Sequence, residues 1–188
     1  NWVQKNIENQ LLRDFKIYFS LSSDISYRIL PSPHYLIKNS KIIKEDNKTA
    51  LSAEIKTLKV FVSQKNFFDK DKVAIRYMKI NNADFTLLAS DLKLLKNVSS
   101  SIFSNKKIKI NKSNIFFKKD LDELIHSIKI SRAFLFQDKE NLLNQFKLEG
   151  EVFNMPFSFN YNRKLDQENE EINITDIKLK LNIFNTHN

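Results

Sequence analysis

Three histidines, two acidic clusters and one serine run are the groups in this 188-residue sequence whose types suit chemistry. His34, His126 and His187 share no ligand spacing, so a metal site would need the fold to bring carboxylates or imidazoles to them. His34, beside Pro33 and Tyr35, reads as a surface loop residue. Asp120-Leu-Asp122-Glu123 and Glu168-Asn-Glu170-Glu171 resemble paired carboxylates in composition only. The first reads as a turn and the second as a solvated loop. Ser99-Ser100-Ser101 has neither a nearby base nor an elbow glycine. With no cysteine there is no thiolate nucleophile, disulfide or Cys-zinc site. One glycine in the whole chain nearly excludes a phosphate-cradling loop. No acid–base–nucleophile set can be assembled, so the reading is not an enzyme, with no cofactor and no metal.

Binding is the remaining class. The net charge of +9 comes almost entirely from Lys, with Arg present five times. An anionic partner, nucleic acid or an acidic lipid surface, is one explanation. Compositional bias is the other and is weighted above it. Lys, Asn, Ile and Phe make up nearly half the chain, and the lysines are spread along it with only short clusters such as Lys106-Lys107-Ile108-Lys109. The sequons at Asn97, Asn111 and Asn173 are expected by chance among 22 asparagines.

The elements that must position any site begin with a helix over residues 1–15. Val3, Ile7, Leu11 and Phe15 recur at i, i+4, with polar residues opposite. Trp2 fits either a membrane interface or a terminal residue packed on the sheet end. From Ile17 the apolar period becomes two: Ile17, Phe19 and Leu21, then Ile25, Tyr27 and Ile29. Pro31-Ser32-Pro33 breaks that run. Leu51, Ala53 and Ile55 give way at Thr57-Leu58 to Leu58, Val60 and Val62, a phase slip of the kind a β-bulge makes. Leu92, Leu95, Val98 and Ile102 fit a short internal helix over 90–103. The remaining runs are short and alternating, which predicts an antiparallel meander.

Three stretches share a pattern. They are Met78-Lys-Ile80-Asn-Asn-Ala-Asp-Phe85-Thr-Leu87, Ile108-Lys-Ile110-Asn-Lys-Ser-Asn-Ile115-Phe-Phe117 and Ile128-Lys-Ile130-Ser-Arg-Ala-Phe134-Leu-Phe136, with Leu36-Ile37-Lys-Asn39-Ser40-Lys-Ile42 as a shorter echo. A spacing of roughly 20–30 residues suggests stacked hairpins or kinked strands. With no glycine at these bends, positive-φ positions fall to Asn or Asp.

This order of elements resembles the N-terminal region of the AsmA family. The resemblance rests on the helix Val3 to Phe15, the strand Ile17 to Leu21, and the proline-broken Ile25-Ser-Tyr27-Arg-Ile29-Leu-Pro31-Ser-Pro33-His-Tyr35-Leu-Ile37-Lys-Asn39-Ser40-Lys-Ile42. It continues with Leu51 to Val60, the strand–bend–strand units Ile80 to Leu87 and Ile108 to Phe117, and Leu148-Glu-Gly150-Glu-Val152-Phe-Asn-Met-Pro156-Phe-Ser-Phe159. It covers about nine tenths of the chain. It implies a taco-shaped sheet plugged by the helix, an upstream membrane-spanning segment, a location on the periplasmic side of the inner membrane, and a role in outer-membrane biogenesis by carrying phospholipid.

The fold expected is mainly β (α+β): one domain over 1–188, a curved antiparallel sheet forming a groove, an N-terminal amphipathic helix and one short internal helix. A twisted sheet with one apolar face curls into a trough. Acyl chains suit such a trough because burial gains about 0.8 kcal/mol per CH₂. The expected lining is Ile17, Phe19, Tyr27, Ile55, Val60, Ile75, Tyr77, Phe85, Leu87, Ile108, Ile110, Ile115, Phe117, Ile128, Ile130, Phe134, Phe136, Phe157 and Phe159. Trp2, Val3, Ile7, Leu11 and Phe15 form the entry helix. The expected partners are phospholipid acyl chains, the membrane and envelope proteins, and not nucleic acid. The alternatives are a non-catalytic envelope scaffold and a basic nucleic-acid-binding β domain.

Overall fold

The computed structural model describes residues 2–43, 51–63, 74–91, 104–120, 123–138, 143–164 and 173–181. Helix α1 spans Trp2–Phe15 and buries Ile7, Leu11 and Phe15, the stripe that its i, i+4 spacing dictates. Lys16 ends it with φ of 57°, and the Lys16 amide still donates to the Leu12 carbonyl at 2.9 Å.

Ten strands follow: β1 (Phe19–Ser20), β2 (Ile25–Arg28), β3 (His34–Ile42), β4 (Leu51–Val62), β5 (Ile75–Leu88), β6 (Lys107–Lys118), β7 (Leu124–Asp138), β8 (Leu143–Val152), β9 (Met155–Lys164) and β10 (Asn173–Leu181). They form one sheet in the order β1-β3-β4-β5-β6-β7-β8-β9-β10, with β2 also on β3, and the two edges do not meet. β1 and β2 together make a broken edge strand along β3, paired at Ile42 and at His34 to Ile37 respectively. The proline segment separates β2 from β3, as its missing donors require.

The sheet is mixed, which corrects the antiparallel expectation. β5 and β6 run parallel from Tyr77/Lys107 to Leu88/Lys118. Residues 89–106 connect them, long enough for the crossover a parallel pair needs. Of the short helix expected over 90–103, the described residues contain only a 3-10 turn, Ala89–Asp91. The rest of that span lies outside the described residues, as do His187, Ser99 to Ser101 and Glu168 to Glu171.

The repeated motif is a crease within long strands. Runs that read as separate short strands, such as Ile128-Ile130 and Phe134-Phe136, are halves of one strand. Asn39 and Lys56 fall together between the ladder pairs Lys38/Thr57 and Ser40/Ile55. Lys56 and Asn82 do so between β4 and β5, and Lys112 and Ser131 between β6 and β7. Asn39, Asn82 and Lys112 have φ of 53°, 54° and 48°. Each left-handed residue interrupts the pleat without ending the strand. The apolar phase therefore shifts at the same level across β3 to β7, for example from Leu58 and Val60 to Ala53 and Ile55 on β4, and from Met78 and Ile80 to Ala83 and Phe85 on β5. Residues from both sides of this line pack with Ile7, Leu11 and Phe15 in one core. Asparagine carries the left-handed conformation at two of the three positions and lysine at the third.

At β7 the crease ends in a bulge. Ile130 pairs Gly150 and Arg132 pairs Glu149, leaving Ser131 extra. The bulge draws the β7 backbone over Gly150: a Cβ built there lies 2.2 Å from the Lys129 carbonyl oxygen. The one glycine of the chain thus sits where no side chain fits.

Candidate functional site: an apolar face that outruns its helix

Cross-strand register turns the alternation of single strands into rows across the sheet. On the face toward α1, one row runs Tyr35, Val60, Met78, Ile108, Leu135, Phe146, Tyr161. The next runs Ile37, Leu58, Ile80, Ile110, Ala133, Leu148, Phe159. Neither contains a charged residue. Beyond the crease, Ile42, Ala53, Phe85, Ile115 and Ile128 continue the pattern.

The helix covers only the first part of these rows. Its core comprises residues of β1 and β3 to β6, with Ile110, Ile115 and Leu135 packed at its margin. Leu58, Val60 and Met78 are fully buried there. Past Leu135 the rows continue through Phe146, Leu148, Phe157, Phe159 and Tyr161, all half-buried and outside that core. Phe146 and Phe159 meet edge-on with centroids 5.8 Å apart.

Most of the expected lining lies on this face. Phe19, Ile55, Val60, Ile75, Phe85 and Ile108 are buried in the helix core, and Ile17, Ile110 and Ile115 pack against it. Leu87, Phe117, Ile128, Ile130, Phe157 and Phe159 share the face by alternation and register. Tyr27 meets Tyr35 edge-on at 5.3 Å. Burial, and the neighbouring Tyr27 after it, push the Tyr35 hydroxyl above its usual value of 10.0. In the helix, Val3, Ile7, Leu11 and Phe15 face the sheet, whereas Trp2 is 56% exposed.

Three expected lining residues lie on the opposite face. A register shift at Phe61/Val62 leaves Arg76 unpaired, so Ile75 turns inward and Tyr77 outward. The Ser131 bulge likewise sends Ala133 and Leu135 inward and Phe134 and Phe136 outward. Single-strand alternation cannot reveal these reversals, because the bulge is a property of the pairing. His34 is also corrected. It is buried rather than a loop residue, stacked on Phe61 at 4.8 Å, and Phe61 stacks on Tyr77 at 4.2 Å. The His34 Nδ1 lies 2.8 Å from the Ser32 carbonyl, which fits a protonated Nδ1 donating to it.

Buried polar residues mark the crease, and periodicity gave no sign of them. Ser113 Oγ accepts from the Ala83 amide at 3.0 Å and donates to the Asn111 carbonyl at 2.9 Å. It thus serves a backbone donor that the interrupted parallel ladder leaves over. Asn111 donates to Asn81 at 3.1 Å and Asn114 to Asp84 at 2.8 Å, clamping the crease from the outer face. Asp120 accepts from the Glu123 amide at 3.0 Å, the turn role its sequence suggested. Among the described residues, no three His, Asp or Glu side chains come together as a metal set, and no helix is long and apolar enough to cross a membrane.

No protein-family model matches this chain, and no curated protein is significantly similar to it.

Proposed function

We propose that the chain is a lipid-holding module whose inner sheet face shelters acyl chains where α1 no longer covers it. The observation that carries the reading is the continuation of two uncharged rows past Leu135, through half-buried Phe146, Leu148, Phe159 and Tyr161. A hydrocarbon chain lying along such a row needs no specific polar contact, only uninterrupted apolar surface. Each CH₂ it buries gains about 0.8 kcal/mol, so ten buried methylenes suffice for useful affinity even after ordering costs. A crease bringing both limbs of β3 to β6 onto one helix supports a folded, trough-like sheet. So does the absence of closure between the β1/β2 edge and β10.

The element order that resembles the AsmA family points the same way. On that reading the module works on the periplasmic side of an inner membrane, in outer-membrane biogenesis, and does no covalent chemistry. α1 would plug one end of the trough, and phospholipid would occupy the rest with its headgroup in water.

The test is extraction of the purified chain for lipid mass spectrometry, combined with titration of a fluorescent fatty-acid analogue. Co-purified phospholipid is expected, with analogue binding lost in Leu148→Asp and Phe159→Asp. Ser158→Asp, on the outer face of the same strand, should retain it. Lipid-free protein that takes up no analogue overturns the reading.

A further inference from the structure

The outer face carries its charge unevenly, and the crease is the dividing line. On one side of it, a single row reads Leu36, Lys59, Lys79, Lys109, Phe134, Lys147 from β3 to β8. Lys59, Lys79 and Lys109 are direct cross-strand neighbours, an arrangement that costs stability. Among the described residues, none of these four lysines has a carboxylate partner. On the other side of the crease the equivalent row reads Lys41, Glu54, Asp84, Asn114, Lys129, Glu151. There the lysines are paired, Lys41 with Glu54 and Lys129 with Glu151, both at 3.1 Å. A compositional excess of lysine would load both rows alike. The gathering of four such lysines in one row, against paired lysines in the other, is a property of the fold.

We propose that this lysine row is a docking surface for an anionic phospholipid bilayer. Four lysines over four strand spacings span about 19 Å, too long for one small anion and suited to a plane of phosphates. A pocket of about 230 Å³ lies at the β6–β8 end of the row, lined by Lys109, Asn111, Arg132, Phe134, Lys147 and Glu149. The Arg132 guanidinium donates to Glu149 through Nε and Nη2 at 2.9 and 2.7 Å, leaving Lys109 and Lys147 with no carboxylate to compete with a headgroup.

The nearby aromatic rings argue against a nucleic-acid platform. Single-stranded nucleic acid needs successive free ring faces, and few are left: Tyr77 has Phe61 stacked on it and the Lys109 ammonium 5.2 Å from its centroid, Phe136 has the Lys107 ammonium at 5.2 Å, and only Phe134 stands in the row itself with neither. The surface offers a run of cations with one ring, Phe134, among them. It is independent of the inner-face reading, since it needs no acyl chain to enter the protein.

Vesicle co-sedimentation of the full chain tests it, with vesicles of zwitterionic lipid alone and with 30% anionic lipid. Binding to the anionic vesicles only, weakened by salt, is expected. Each lysine near such a surface is worth about fivefold in partition, equivalent to about 1 kcal/mol. Lys79→Gln/Lys109→Gln should therefore weaken partition about 30-fold. Lys41→Gln/Lys129→Gln, with the same loss of net charge from the other side of the crease, should change it less than about threefold. Equal effects of the two pairs overturn the proposal, because net charge alone would then explain binding. So does an oligonucleotide bound through Lys79 and Lys109 by protein that ignores the vesicles. Circular dichroism of both variants confirms that each is folded.

Discussion

Glu8 accepts a hydrogen bond from the amide of Leu21 at 2.8 Å, while Gln4, one turn earlier, donates to the carbonyl of the same residue at 2.7 Å. Leu21 lies in the gap between β1 and β2, where the edge strand is broken and its backbone groups leave the ladder. Two side chains of α1 take the place of the missing strand partner. The polar side of the helix, which a hydropathy reading treats as solvated, thus fixes where the helix sits along the sheet edge.

Glu8→Ala should therefore destabilise the protein by about 1.5–3 kcal/mol, the range for a hydrogen bond to a charged group. Glu8→Gln retains an acceptor and should lose less. Urea unfolding of the two variants gives the comparison, and equal stability of Glu8→Ala and the parent would show that the contact contributes nothing.

Gly150→Ala should cost about 1–3 kcal/mol, since the added methyl meets the Lys129 carbonyl and forces the bulge to move. Thermal melts report it as a fall in Tm. Glu149→Ala, one residue away on the outer face, should cost much less because Arg132 and Glu149 are both exposed.

Lys112→Asn should stabilise. Lys112 has φ of 48°, a conformation that costs a side chain with a Cβ roughly 1–2 kcal/mol and that Asn tolerates. A rise of about 2–4 °C in Tm is expected for a gain near 1 kcal/mol in a chain of this size. Lys112→Val, β-branched at the same φ, should lower Tm by more than that.

Tyr35 makes stability fall at alkaline pH. Its hydroxyl is held above the usual 10.0 by burial and by Tyr27, so the folded state keeps a proton that the unfolded state has released. This contribution is complete below pH 10 and is lost as pH rises past 10 through the higher folded value. Denaturant midpoints from pH 8 to 11.5 should fall less steeply for Tyr35→Phe than for the parent. Parallel curves would remove Tyr35 as the cause.

Ser113→Ala tests the crease itself. Removing the hydroxyl leaves the buried Ala83 amide without its acceptor, at a cost of about 1–3 kcal/mol. Hydrogen exchange at Ala83 should quicken more than exchange at Leu58, which lies in the same core but away from the interrupted ladder.

Much of this architecture was legible in the residues, for identifiable reasons. The helix was readable because Val3, Ile7, Leu11 and Phe15 carry a period no strand can use. The parity change at Thr57-Leu58 was readable, but the bulge it suggested is not there: one residue is skipped on each strand, Asn39 and Lys56, so the register holds and the slip is the crease. The repeat was readable as a bend, but its alignment across the sheet was not, since register belongs to pairs of strands. The same limit hid the parallel β5/β6 pair, the outward turn of Tyr77, Phe134 and Phe136, and the burial of His34. Ser113 and Glu8 were invisible for a different reason: their roles depend on backbone groups left over where a ladder is interrupted, and those positions exist only once the fold does.

The parallel ladder between β5 and β6 divides the strands into two consecutive blocks that pair along one seam, with α1 of the first block lying across it onto Ile108 and Leu135 of the second. Every strand pairing other than that seam joins strands from the same block. Severing the one covalent tie, residues 89–106, would leave every strand pairing in place, and two matched edges would show only once the halves came apart. The polypeptide can be parted there to ask whether its halves find one another again.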